Sequence, residues 1–393
     1  MRVAVVSPEF PPDIGGIETY ALEFVKELAR QGHEPTVFTV RHPTGEQALA
    51  GVRIKPVLRL SRAIDRKTFA AHRADVWHAL NAGYAWVAEE LPNGLVSVHG
   101  NDFLQPYLPI AQPDLRRLPL AWRWSGTLSR CLRPVWMRLS RPMVRRSLAR
   151  ARHVFANSRY TERVLLERIP ECRGRTSVEF VGVGAQFFDV SWRPAEDGVA
   201  RLLTVSRLSE PRKNVDRVLH ALARLKDTRR FRYTIVGDGH DRPRLERLVR
   251  ELGLEQRVRF TGFVSSAELP ELYARSDLMV LVSGLAQDSH EGFGIVYLEA
   301  AASGVPSLAA RIAGAAEAID EGKSGLYVEE PTVDALAGAL DRFLSGQVRF
   351  DPVACRNFAR RFTWASVVDH CMQYYPLAPM TSHGMGLAGR SVR

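Results

Sequence analysis

Four cysteines in 393 residues, Cys131, Cys172, Cys355 and Cys371, show neither C-x-x-C spacing nor a histidine cluster, so no disulfide and no Cys/His metal site is expected. No apolar run reaches the roughly 18 residues that cross a bilayer. The nearest, Leu278 to Ala286, has the length of a strand. The opening Met1-Arg2-Val3-Ala4-Val5-Val6 meets Ser7, Pro8 and Glu9 before a signal-peptide core forms, which points to a cytoplasmic protein. No G-x-G-x-x-G follows either strand that opens a domain, against an NAD-dependent dehydrogenase. Acidic residues are missing from Arg116 to Arg152, a segment with eleven arginines. Elsewhere 43 basic residues face 43 acidic ones, so the formal net charge of +11 resides in this one arm.

What is present is an ordinary globular composition, 46% hydrophobic and 25% charged, in a chain long enough for two domains. Short β-branched runs alternate with amphipathic stretches from end to end, the pattern of βαβ units and parallel sheets. Strands are predicted at Val3 to Ser7, Thr36 to Val40, Val52 to Val57, Val76 to His78, Leu95 to Val98, Val154 to Asn157 and Ser177 to Val181. A second series follows at Arg201 to Val205, Tyr233 to Val236, Val258 to Phe260, Leu278 to Val282, Pro306 to Ala309 and Leu326 to Val328. The reading is an α/β chain of two doubly wound domains, residues 1–184 and 199–356, joined by a linker at 185–198. A helix over 357–376 follows, then a tail at 377–393 expected to be disordered.

Ligands of such sheets bind at the carboxyl ends of the strands, and the chain's distinctive loops fall there. Glu291-Gly292-Phe293-Gly294-Ile295-Val296-Tyr297-Leu298-Glu299 puts two carboxylates eight positions apart around a glycine pair. With a helix starting near Gly294, Glu291 precedes its free N–H groups and Glu299 lies in its second turn. Gly15-Gly16-Ile17-Glu18 lets backbone approach a diphosphate, or is a tight turn. Arg207 and Lys213 offer a planar fork and a point charge for the same diphosphate. His99, in Val98-His99-Gly100-Asn101-Asp102, sits at a strand end, with Asp102 placed to orient or accompany it. Gly237-Asp238-Gly239 reads equally as a plain turn or a nucleotide cradle. The arm interleaves Trp122, Trp124 and Trp136 with Arg130, Arg133, Arg138, Arg145 and Arg146, and carries apolar Leu128, Leu132, Val135 and Leu139 at helical spacing. Pro134 and Pro142 are expected to bend it. It suits an anionic membrane surface, or a helix docked on its own domain. No nucleic-acid-binding motif accompanies it.

Taken in order, these segments, with Val205-Ser206-Arg207-Leu208, Arg212-Lys213-Asn214 and Phe260-Thr261-Gly262-Phe263-Val264, resemble the GT4 family of retaining glycosyltransferases. The likeness covers Met1 to about Tyr375. It implies the GT-B architecture, two Rossmann-like domains facing a central cleft, and transfer of a sugar from a nucleotide sugar to an acceptor hydroxyl without a metal or other cofactor. A UDP-sugar is the favoured donor, with GDP-mannose the alternative.

Carried over by position, Gly16, Arg207 and Lys213 would bind the diphosphate, Glu291 the donor sugar's hydroxyls and Glu299 the ribose. The backbone near Val264 would meet the base. Gly15, Gly237, Gly292, Phe293, Gly294 and Ile295 complete the implied donor surface, and His99 would approach donor sugar and acceptor. Glu18, Asn101 and Asp102 fall on the acceptor side. Phe362-Thr363-Trp364 resembles the usual opening of the family's crossing C-terminal helix. A lipid-linked or glycan acceptor at the inner membrane face is the leading expectation, a soluble small-molecule acceptor the second. A non-catalytic nucleotide-sugar-binding protein is disfavoured by the intact residue set. No nucleic-acid partner is expected.

Overall fold

The computed structural model describes residues 1–11, 15–40, 49–106, 126–195 and 197–376, excepting the side chains of 126–137. The expected tail at 377–393 lies outside the described residues.

The first sheet contains β1 (Arg2–Val6), β2 (Glu34–Phe38), β3 (Arg53–Lys55), β4 (Val76–Ala79), β5 (Gly94–Val98), β6 (Val154–Ala156) and β7 (Thr176–Val178). Its order is β3-β2-β1-β4-β5-β6-β7. The second contains β8 (Ala200–Val205), β9 (Phe231–Val236), β10 (Val258–Gly262), β11 (Leu278–Leu281), β12 (Ser307–Ala310) and β13 (Gly325–Val328), ordered β10-β9-β8-β11-β12-β13. All pairings are parallel. Helices cover both faces of such sheets, so central strands are apolar throughout: β4 is buried along its whole length, as are β11 and β12. Every predicted strand coincides with an observed one, with ends shifted by one to a few residues.

Helix α1 (Gly16–Arg30) buries Tyr20, Ala21, Phe24, Val25 and Leu28, spaced for one face, against the first sheet. One apolar cluster runs from there through Val181, Val183 and Phe187 into Leu203, Leu281 and Tyr297 of the second lobe. The lobes therefore share a core along the linker side.

The C-terminal segment departs from the single helix expected. It forms two helices, Pro352–Ala359 and Trp364–Met372. Between them the Phe362 ring is held among Phe180, Phe293 and Phe358, its carbonyl accepts from Val183 N at 3.1 Å, and Thr363 caps the second helix by accepting from Ser366 N at 3.1 Å. That helix returns to the first lobe. Trp364 meets Tyr20 edge-on at 5.3 Å, Gln31 Nε2 donates to Asp369 at 3.0 Å, and Tyr375 OH bonds His78 Nδ1 at 2.8 Å. Gly182 is required there, because a Cβ on it would lie 2.7 Å from the Trp364 ring.

Strand order reverses between β1 and β4 in one sheet and between β8 and β11 in the other. Doubly wound sheets open a crevice at such switch points.

Candidate active site

The second-lobe wall is built by two loops stapled together. After β8 the chain forms a tight turn at Pro211–Lys213, then Asn214 in the left-handed region at φ 54°. Asn214 Nδ2 donates to Val282 O at 2.8 Å, and Gly284 N to Arg212 O at 2.7 Å. These bonds bring Lys213 to the loop after β11. Its Nζ lies 2.6 Å from Glu291 Oε2, which also accepts from Ser283 Oγ at 2.8 Å and Arg212 Nη1 at 3.3 Å. All of these contacts fall on Oε2, leaving Oε1 outside the network among the described residues. Arg212 also reaches Glu210 at 2.5 Å, and Arg207 pairs with Glu210 at 3.1 Å.

Three cations thus share two carboxylates, an excess of one positive charge. Burial works to raise the Glu291 carboxyl, but Lys213 and Arg212 outweigh it and hold it well below the usual carboxylate range. Arg212 and Glu210 were absent from the residues expected to act. The Arg212 side chain is only 9% exposed.

The backbone after Glu291 is tightly enclosed. A Cβ on Gly314 would lie 1.9 Å from Gly292 O, and one on Gly100 would lie 3.0 Å from Gly292 Cα. Gly294, at φ 95°, precedes the helix Ile295–Ala302. Phe293 is a core side chain against Phe180 and Phe362, and Ile295 packs at the edge of that core. Glu299 is buried, accepts from Tyr273 OH at 3.0 Å, and is pushed up by burial to about 7. Gly237, at φ 124°, is forced by contact, since its Cβ would lie 1.9 Å from Ser206 O. It carries the Arg207 loop on its back. Val264 is half-buried against the core, beside exposed Phe263.

In the first lobe, a Cβ on Gly15 would strike the Glu18 carboxylate at 2.3 Å, whereas one on Gly16 would meet nothing within 4 Å. Open space over Gly16 suits close approach by a ligand. His99 rests edge-on against Tyr20 at 4.5 Å, its Nε2 is shielded and without a partner among the described residues, and burial lowers it to about 4. It is a neutral imidazole at pH 7.

Asp102 does not orient that ring. Its carboxylate instead accepts from the backbone N–H groups of His99, in its own loop, and of Ala82, in the turn after β4, both at 2.9 Å. Burial raises it to about 6. Asn101 reaches across to the second lobe. It donates to Ser289 Oγ at 2.9 Å and accepts from His290 N at 2.7 Å, clasping the opposite lobe. Glu9, not foreseen, accepts from Asn81 Nδ2 at 3.1 Å and is pushed to about 8 by burial and by Glu18 and Asp102, with Arg207 of the other lobe opposing. The Ser-Pro-Glu that ends the first strand was its only signal.

Residues 192–362 match the family profile for glycosyl transferases group 1, and residues 14–178 that for glycosyltransferase family 4. A GDP-mannose-dependent alpha-(1-6)-phosphatidylinositol monomannoside mannosyltransferase of Mycolicibacterium smegmatis is 30% identical over 369 residues, covering 87% of this chain and 88% of that protein. The chain is a GT4-type glycosyltransferase. A D-inositol 3-phosphate glycosyltransferase of Nocardia farcinica is 28% identical, with coverage of 98% and 91%. The transferase shares its GT-B fold with sucrose-phosphate synthase of Thermosynechococcus elongatus (TM-score 0.72, 20% identity, coverage 95% and 98%). It shares it also with Anabaena HepE in complex with UDP-glucose (TM-score 0.68, 19% identity, coverage 95% and 98%).

The transferase's arm is in part a helix, Gly126–Arg150, continuous through Pro134 and Pro142. Trp122 and Trp124 lie outside the described residues, as do the side chains of Arg130, Arg133 and Trp136. Leu139 is 62% exposed, and Met143 one turn on is 52% exposed. The inward residues are Val144 and Leu148, which pack on the first sheet's outer core. Arg145 pairs with Glu171 at 3.1 Å, Arg146 and Arg150 with Glu89 at 3.6 and 2.8 Å, and Arg141 with Asp288 of the second lobe at 2.8 Å. Arg138 is exposed. No helix among the described residues is long and apolar enough to cross a membrane, and none of their His, Cys, Asp and Glu side chains form a group of three or more able to hold a metal ion.

Proposed function

We propose that this transferase moves a hexose from a nucleoside-diphosphate sugar to a hydroxyl of a membrane-anchored acceptor, with retention at the anomeric carbon and with cationic side chains, not a metal ion, facing the diphosphate. The observation that carries the reading is the Lys213–Glu291 pair, 2.6 Å apart at the switch point of the second sheet. An arriving diphosphate competes with Glu291 for Lys213 and Arg212, so donor binding would trade one anion for another and release a carboxylate toward the sugar's hydroxyls. Charge growing on the departing diphosphate is then met by Arg207, Arg212 and Lys213, a stabilisation that strengthens toward the transition state. Before the donor arrives Glu291 is held far below neutrality by two cations, so it meets the sugar as a carboxylate; the role assigned to it is to grip hydroxyls, with front-face attack by the acceptor and the leaving phosphate taking the acceptor's proton.

GDP-mannose and UDP-glucose are the donors to try first. One is named for the 30%-identical mannosyltransferase and the other occupies a structure of the same fold. The membrane acceptor is supported by exposed Leu139 and Met143 among Arg138, Arg145 and Arg146, an apolar strip in a cationic surround. The ion pairs that dock the arm on its own lobe favour a second reading, the same chemistry on a soluble acceptor. Nucleoside-diphosphate release from each donor, with and without bacterial lipid extract and with EDTA, tests the whole. Lipid-stimulated, EDTA-resistant release is expected. Release indifferent to lipid, and unchanged in L139S/M143S, would move the reading to soluble acceptors, and loss of release with EDTA would remove metal independence.

A further inference from the structure

Asn157 directly follows the strand β6 and has no assigned role. We propose that it is a further sugar-recognition residue, its amide bonding a ring hydroxyl of the transferred hexose. This rests on the nucleotide-sugar reading above.

Asn157 is only 7% exposed, and its Oδ1 is shielded and has no hydrogen-bond partner among the described residues. Its Nδ2 finds none among the described residues either. Buried amides are almost always bonded, because leaving one unpaired forfeits its hydration without return. With both ends free, O and N are interchangeable, so the group offers a donor and an acceptor at one place.

That place is at the reactive centre. A Cβ on Gly292 would lie 2.6 Å from Asn157 Nδ2 and 3.1 Å from His99 O. The amide therefore stands over the residue next to Glu291, against the strand end that presents His99. Glycine at 292 is what leaves it room.

The backbone holding the amide is fixed on three sides. Asn157 N donates to Val98 O at 3.3 Å. Ser158 caps the following helix, Arg159–Arg168, by accepting from Thr161 N at 3.0 Å. The amides of Arg159 and Tyr160 donate to Glu317 of the second lobe at 3.0 and 2.9 Å. The helix N-terminus is thus already filled by a carboxylate, and the unmet group beside it is Asn157 alone among these. An amide held rigidly and unpaired at a lobe junction discriminates hydroxyl orientation well, since a misplaced hydroxyl leaves it unsatisfied.

The experiment is calorimetric titration of wild type, Asn157→Ala and Asn157→Asp with UDP, UDP-glucose, GDP and GDP-mannose. Asn157→Ala is expected to keep the nucleoside-diphosphate Kd within about two-fold and weaken the nucleotide sugar about ten-fold or more. The near-isosteric Asn157→Asp is expected to weaken the nucleotide sugar alone, by about three-fold or more. The sugar-specific difference separates recognition from a structural role, which would weaken both ligands in parallel. Parallel loss, or no loss, overturns the proposal, and Asn157→Asp decides it should Asn157→Ala fail to fold. A wild type that binds no nucleotide sugar sinks the donor reading and this proposal together. A wild type that binds while the variants discriminate nothing sinks the proposal only.

Discussion

Removing Lys213 and Glu291 singly and together should give an order of stabilities that simple contact counting would not. Their side chains are 12% and 13% exposed, and Nζ to Oε2 is 2.6 Å. In Lys213→Ala the Glu291 carboxylate keeps Arg212 at 3.3 Å and Ser283 at 2.8 Å, so the cost falls below that of orphaning a buried charge, about 1–3 kcal/mol. In Glu291→Ala the Lys213 ammonium loses its carboxylate while Arg212 retains Glu210 at 2.5 Å. A buried cation without its partner costs about 3–5 kcal/mol. The double variant removes both members of the pair and should be more stable than Glu291→Ala alone, with a coupling energy of about 1–3 kcal/mol. Urea unfolding of the four proteins reads this as midpoint shifts at constant slope. Donor turnover in each single variant should fall at least about 100-fold, the scale of a lost charge-stabilising group. A double variant that unfolds earlier than both singles would refute the pairing and the charge exchange built on it.

Three further outcomes are expected. Glu179 is pushed to about 9 by burial, so the folded state keeps a proton that the unfolded state releases. Its contribution is complete below its unfolded pKa and is lost as pH rises toward 9, and Glu179→Gln should flatten the fall in Tm between pH 6 and 9 by a few degrees. In Gly314→Ala the new Cβ would lie 1.9 Å from Gly292 O. The Glu291 loop must shift, and donor turnover should drop about ten-fold or more with a modest loss of Tm; unchanged turnover would show that the loop yields freely. Glu317→Ala leaves two helix-end amides of the opposite lobe unmet, costing about 1–2 kcal/mol of stability, and small-angle scattering should show a larger radius of gyration. An unchanged profile would mean that the lobes stay closed without it.

The sheets were legible because β-branched runs such as Val3 to Val6 and Leu278 to Val282 are buried on both faces and bounded by turn residues. Their carboxyl-end loops were legible for the same reason. Pairing was not. Lys213 and Glu291 are 78 positions apart, and nothing local says that one will neutralise the other. The bonds of Asn101 to the second lobe and of Asp102 to backbone amides were not legible, because short polar side chains after a strand read alike whether they face a ligand, a backbone amide or another lobe. Glu9 and Asn157 went unnoticed because a single polar residue at a strand end carries no periodicity, and their significance lies in burial and in what surrounds them. The break at Arg360 to Phe362 was hidden because those residues continue an apolar and charged pattern compatible with one helix, while Phe180 and Phe293 from elsewhere in the chain, with Phe358 of the preceding helix, hold Phe362 out of it.

The bond between His78 and Tyr375 spans 297 positions of sequence. At about 5–20 residues per second of synthesis, the first lobe's central strand would wait roughly 15–60 s for the hydroxyl that completes it. The second lobe, formed from contiguous residues, can close earlier. The amino-terminal half is thus made first and finished last, exposing the face of α1 to chaperones in the interval. Chains cut short before Trp364 would lack that cover altogether.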